Sequence, residues 1–232
     1  MVTAEEDQQV ELQRVDLFLD ESGTSSNDRL TLVGAVAFQD TPRAERLIKA
    51  AYERALGDAS LWPDGAKRRA FAEVGFHFTE DSESVKQILL AQLGELEFRA
   101  YVAYANNDPS VSSAEKLVAM YGTLLSSVLL RYRDTRLTVV FEENSWMDPL
   151  YGKMWQVLTS DISLAEAAAY RGSKAVPCLA VIDYVLGVTR VHLAGGAHDY
   201  QENRYVALGR NLAYLIDFDD DRHLGGRRHP IV

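Results

Sequence analysis

The chain has 232 residues, 47% of them hydrophobic and 25% charged, which suits one large domain or two small ones with a real core. Its formal net charge of −10 argues against broad, sequence-independent clamping of nucleic acid, because that affinity comes from basic side chains neutralising phosphates. The single cysteine, Cys178, excludes an internal disulfide and a cysteine metal cluster, and reads as a small core residue.

Residues 1–13 read as a polar, acidic lead-in without the basic region and apolar core of a signal peptide. No uninterrupted apolar run approaches the roughly eighteen residues of a membrane span, so a cytoplasmic protein with no membrane partner is expected. Val15, Leu17, Phe18 and Leu19 predict a strand that ends in the turn Asp20-Glu21-Ser22-Gly23. Leu30 to Phe38 reads as a second strand, and Ser25 to Asp28 suits a hairpin connection. A helix follows from Pro42 to about Leu56, with Thr41 able to cap it.

Leu61 to Val74 holds a turn-like Trp62-Pro63-Asp64-Gly65 and the basic run Lys67-Arg68-Arg69, and yields no clear element. Phe76-His77-Phe78 reads as a short extended segment. Thr79 to Ser84 then offers caps to a helix carrying Val85, Ile88, Leu89 and Leu93. Phe98 to Tyr104 is strand-like, Asn106 to Ser110 a loop, and Ser113 to Tyr132 an apolar helix. Leu137 to Phe141 predicts a strand ending in Glu142-Glu143-Asn144, and Pro149 starts a helix to about Leu158. Residues 162–169 have helical propensity, yet their position favours a strand. Ala175 to Leu193 is mostly helix, with Pro177 tolerated in its first turn and Gly195-Gly196 ending it. A last amphipathic segment spans Gln201 to Ile216. Strands first, then alternating helices and strands, predict an α/β fold with one mixed sheet and helices on both faces, in a single domain over 14–216 with a polar tail at 217–232.

Three segments carry acids in positions suited to chemistry. Asp20-Glu21 directly follows one apolar strand, Glu142-Glu143 follows another, and Asp183 stands alone among Leu179, Val181, Ile182, Tyr184 and Val185 on a helix. A lone carboxylate in such a setting is costly unless paired, hydrogen-bonded or metal-bound. Mg²⁺ or Mn²⁺ takes hard oxygen ligands, and two-metal phosphodiester cleavage needs acids converging from separate elements. Each acid also has a plain reading as a turn or solvent-facing residue. Alternation along a strand lets only one of Glu142 and Glu143 face a site, which leaves Glu143 as the alternative to Glu142.

These residues together resemble the bacterial domain-of-unknown-function-3800 family, which is ribonuclease H-like in fold. The resemblance rests on the DESG turn at 20–23, the glycine-bearing Leu32-Val33-Gly34-Ala35-Val36, His77 between two phenylalanines, the strand-ending acid, and Ser173-Lys174 before Leu179-Ala180-Val181-Ile182-Asp183. It covers about Val15 to Arg190. It implies Asp20 on the first strand, Glu142 on a neighbouring strand and Asp183 on a late helix as metal-binding acids, with Glu21 and His77 flanking them. His77 could orient substrate or shuttle a proton; its plain reading is structural. Gly172 stands where the family pattern tends to carry Asp, Ala180 where it tends to carry Gln, and Glu142 where it tends to carry Asp. The implied function is a Mg²⁺- or Mn²⁺-dependent nuclease acting on RNA or DNA. The alternative is a non-catalytic subunit that keeps the fold to bind a protein partner or a second copy of itself.

Other motifs point to packing. No P-loop and no Gly-x-Ser-x-Gly elbow occurs. His192 and His198 lack zinc-ligand spacing. Tyr101, Tyr104, Tyr151, Trp146 and Trp155 read as core or interface aromatics, and Arg222, Arg227, Arg228 and His229 as a solvated basic tail.

Overall fold

A computed structural model of the chain describes residues 12–25, 28–107, 113–145, 147–195, 198–220 and 222–223. Side-chain alternation along β1 (Arg14–Ser22) sets the layering. Val15, Leu17 and Leu19 enter one apolar core, whereas Phe18 enters another on the opposite face of the sheet. β2 (Leu30–Phe38) runs antiparallel to β1 and splits likewise: Leu32 and Val36 go to the Phe18 side, Val33, Ala35 and Ala37 to the other. Every residue of β2 is buried, as expected for a central strand covered on both faces.

β3 (Arg99–Asn106) pairs antiparallel with β2, while β4 (Arg136–Glu142) lies parallel to β1 and β5 (Glu166–Gly172) parallel to β4. β6 (Leu212–Asp217) runs parallel to β3, and the two-residue β7 (Arg222–His223) closes that edge. The sheet order is β5-β4-β1-β2-β3-β6-β7. Helices cover both faces. α1 (Thr41–Gly57), α3 (Glu83–Leu93) and the long α6 (Pro177–Ala194) pack with Phe18, Leu32 and Val36. The short α2 (Gly65–Val74) joins them through Phe71, and α7 (Asp199–Leu208) through Leu208. On the other face, α4 (Ser113–Arg131) and α5 (Asp148–Asp161) cover Leu17, Leu19 and Val139. Each fully buried Leu, Ile, Val or Phe contributes about 1.5–3 kcal/mol to this double core.

The expected mixed sheet with helices on both faces is therefore what the chain forms, and residues 162–169 do lead into a strand, β5. Several local readings change. Asp40, not Thr41, caps α1, its side chain accepting the Arg43 N–H at 3.0 Å. Thr41 instead donates to the buried Asp16 carboxylate at 2.6 Å. Lys67-Arg68-Arg69 lies in α2, opened by the Asp64 cap. The segment Gln201–Ile216 is two elements, α7 and β6, turned by Gly209, Arg210 and Asn211. The expected polar tail contains the end of β6 and the strand β7. Trp146, Gly196, Arg227, Arg228 and His229 lie outside the described residues. Among the described helices α6 alone has the length and hydropathy to cross a membrane, but here it is the central core helix, most of its residues buried against the sheet and its neighbouring helices.

Candidate metal centre

The register of the sheet brings the first two acids together. Leu19 of β1 pairs in parallel with Phe141 of β4, so Asp20 and Glu142 occupy the next step of the ladder, at the carboxyl ends of adjacent strands. Ligand sites in open α/β sheets form in this position. Both point to the α6 side, the side of Phe18 and Val140. Opposite Asp20 on β2 stands Gly34, where a Cβ would lie 2.6 Å from Ile182 and 2.8 Å from Leu186 of α6. The missing side chain lets α6 approach the sheet, and Ile182 immediately precedes Asp183. This close approach sets the third acid above the other two.

The DESG turn itself needs glycine at its last position. Gly23 has φ +74, and a Cβ there would strike the Leu30 carbonyl oxygen. Thr31 donates its hydroxyl to the Gly23 carbonyl at 3.1 Å, which ties the turn to the start of β2.

Asp183 is fixed from a second direction. The Phe78 N–H donates to its Oδ2 at 2.7 Å. Phe76 and Phe78 both pack edge-on to Tyr184, and the Phe78 ring fills the space above Gly187. The segment expected to be extended is thus an unpaired loop anchored to α6 by its two phenylalanines, with His77 held between them. His77 donates its backbone N–H to Asp81 at 2.9 Å, and its buried Nδ1 has no hydrogen-bond partner among the described residues. The Tyr184 hydroxyl donates to the same Asp81 oxygen. Asp81 escapes a sequence reading, because it sits in a polar helix-cap stretch and its partner lies more than a hundred residues away.

The charges are arranged against one another. Burial pushes the Asp20 carboxyl well above its ordinary pKa, and the adjoining Glu142 carboxyl, then Asp183 and Glu21, push it further. Burial also raises Asp183 and Glu142 adds to this, while His77, the Phe78 N–H and Lys174 pull it down. Asp81 is pushed up to about 6 by burial, with Asp183 adding to that, although the Tyr184 hydroxyl and the His77 amide stabilise its charged form. Lys174 Nζ stands 3.5 Å from Glu142 Oε1. Glu142, Asp183, His77 and Lys174 line a cleft of about 10 Å³, room for roughly one water or small ion.

Not every expected site residue joins. Glu21 faces the other core, where its carboxylate accepts from the Tyr121 hydroxyl at 2.7 Å, the Tyr151 hydroxyl at 2.9 Å and the Asn144 amide. Glu143 is exposed beyond β4 and donates its N–H to the Gly172 carbonyl at 2.9 Å, leaving Glu142 as the acid in the cleft. A Cβ on Gly172 would lie 2.7 Å from Val140 and 3.3 Å from Leu179, so the position resembling the family's Asp is filled by apolar packing. The plain readings of His192, Tyr101 and Cys178 hold. His192 Nδ1 pairs with Glu202 at 2.8 Å, the Tyr101 hydroxyl meets that of Tyr132 at 2.7 Å, and Cys178 is buried with its thiol pKa raised.

The donor set is all carboxylate oxygen, the chemistry of Mg²⁺ or Mn²⁺. Among the described residues no three acid, histidine or cysteine side chains converge closely enough to hold one ion together. The Asp20–Glu142 pair does fit an ion that takes one or two carboxylates and keeps its waters, as Mg²⁺ does.

No family model and no curated protein matches the chain. Among solved structures it is similar to a chain of the PCNA:RNase HII complex from Archaeoglobus fulgidus, at 13% identity and TM-score 0.47 over 87% of this chain and 82% of that one. A second is the ribonuclease H2 from Pyrococcus horikoshii OT3, at 14% identity and TM-score 0.42 over 85% and 80%. At such values neither likeness bears on activity. The strand order β3-β2-β1-β4-β5, with its antiparallel start and parallel finish, is a mixed sheet of the kind that the sequence reading expects.

Proposed function

We propose that the chain is a divalent-metal-dependent nuclease that hydrolyses phosphodiester bonds at Asp20, Glu142 and Asp183. The observation that carries the reading is the placement of Asp20 and Glu142 at the carboxyl ends of adjacent parallel strands, on the face covered by α6 and its Asp183. A buried carboxyl pressed against a second and close to a third costs stability, and a bound cation relieves that cost. Asp20 and Glu142 would hold Mg²⁺ or Mn²⁺, with Asp183 lining the same cleft rather than joining them on the ion. When bound, the ion supplies an activated water and charge stabilisation for the phosphoryl oxygens.

The chain's own groups do the rest. Lys174, beside Glu142 at the mouth of the cleft, is placed to meet a phosphate oxygen. His77, which lines the cleft and whose buried Nδ1 has no partner among the described residues, can take or return a proton there. Asp81 and Tyr184 position the His77 loop. The same proposal takes RNA or DNA as substrate and carries forward the sequence-based expectations of membership of the domain-of-unknown-function-3800 family and of a cytoplasmic location.

The test is cleavage of labelled RNA and DNA in Mn²⁺. Asp20→Asn should abolish it, and cleavage at the wild-type rate would discard the assignment. A second reading is favoured by the apolar filling around Gly172 and by the absence of three converging donors among the described residues. It is a fold-retaining subunit that binds a protein or a second copy of itself, and it predicts that Asp20→Asn, Asp183→Asn together leave partner capture intact.

A further inference from the structure

Beside the acid cleft lies a second cavity, of about 270 Å³, between α1, α2 and the start of α6. The two share the lining residues Phe76, Lys174 and Ala180, so they are neighbours. Its walls are mainly apolar, with Ile48, Phe76 and Ala180 buried, and the ring of Tyr52 at one side. The Tyr52 ring is fixed. It stacks on Phe71 at 5.2 Å, and its hydroxyl donates to the Ala72 carbonyl at 3.0 Å. Two cations stand on the lining, Lys49 on α1 and Lys174 before α6, with one acid, Glu73 at the end of α2.

We propose that this cavity receives one unstacked nucleobase of the substrate, next to the phosphate held at the acid cleft, and that the enzyme therefore cleaves single-stranded rather than duplex nucleic acid. The inference rests on the nuclease reading of that cleft. Its volume lies just below the range of pockets for drug-sized ligands, which suits a base with part of its sugar. An apolar slot with an aromatic wall takes any base by its face, the sequence-tolerant mode of single-strand binding. A base inside a duplex reaches such a slot only by flipping out, at the cost of its stacking and pairing. The lysines fit the same occupant: Lys174 spans both cavities, where the phosphate joining the held nucleotide to the scissile position must pass. Ala180 makes part of the floor.

The experiment pairs direct binding with cleavage. Adenosine 5′-monophosphate is titrated into isotope-labelled, metal-free protein. The resonances of Ile48 and Ala180 should move in the wild type and stay still in Ala175→Trp, which fills the cavity from an exposed position of its rim. In Mn²⁺, an unstructured strand should be cleaved about tenfold faster or more than the same strand in a blunt duplex, the size of one base's stacking contribution. Ala175→Trp should raise KM for the single strand about tenfold with kcat retained. Lys49→Ala, exposed and on a different element, should raise it less. Equal cleavage of both forms, an unchanged KM in Ala175→Trp, or shifts that survive the tryptophan would overturn the proposal. If the nucleotide binds as expected but no strand is cut, the base site stands and the hydrolytic reading falls.

Discussion

Replacing Asp20 by Asn tests whether the three acids share one electrostatic problem. In metal-free protein the folded state holds a proton on Asp20 that an unfolded chain releases near pH 4, because burial and Glu142 raise the folded pKa. The folded state thus binds more protons than the unfolded one between about pH 4 and the folded pKa, and stability must fall as pH rises across that window. One proton gives about 1.4 kcal/mol per pH unit. For a chain of 232 residues, at about 2–4 °C per kcal/mol, that is about 3–6 °C in Tm for each unit. Asn mimics the protonated acid in shape and does not titrate, so this contribution disappears. Thermal melts in EDTA from pH 4.5 to 8 should show the Asn variant gaining on the wild type as pH rises. Saturating Mn²⁺, at about a hundred times its Kd, should return about 2.7 kcal/mol to the wild type alone. Parallel melting curves across the whole range would refute the argument, since they would mean that Asp20 titrates alike in both states.

Gly34→Ala should cost about 1–3 kcal/mol through the collision with Ile182 and Leu186, and should weaken Mn²⁺ binding by lifting Asp183 off the pair; denaturant midpoints and a metal titration check both. Glu21→Gln should lower stability by about 1–3 kcal/mol, read from urea unfolding, because three donors, two of them buried tyrosine hydroxyls, lose a charged acceptor. In EDTA, Asp81→Asn should remove a fall in wild-type stability that begins near pH 4 and ends near pH 6, where the folded carboxyl titrates. A variant as steep as wild type through that interval would assign the fall to other groups.

The elements that carry the acids were legible because β1 and β4 are short apolar runs closed by polar residues, and α6 a long apolar stretch started by Pro177. The alternation argument separated Glu142 from Glu143. It applies equally to Asp20 and Glu21, and the structure does send Glu21 to the other face, where Tyr121 and Tyr151 hold it. β6 escaped notice because only a three-residue turn parts it from α7, so two periodicities merged into one apparent segment. The role of Gly34 had a visible signal, a glycine inside an otherwise ideal strand, which marks a close approach. Asp81 had none. Its importance comes from Tyr184 and His77, contacts that only the folded chain creates.

The central claim is that a cation belongs between Asp20 and Glu142, within reach of Asp183. Crystals soaked in Mn²⁺ and measured at the manganese edge test it directly. The account predicts an anomalous peak bridging the Asp20 and Glu142 carboxylates in the wild type and none in Asp20→Asn. A wild-type map without that peak, or with manganese only at other acids, would contradict it.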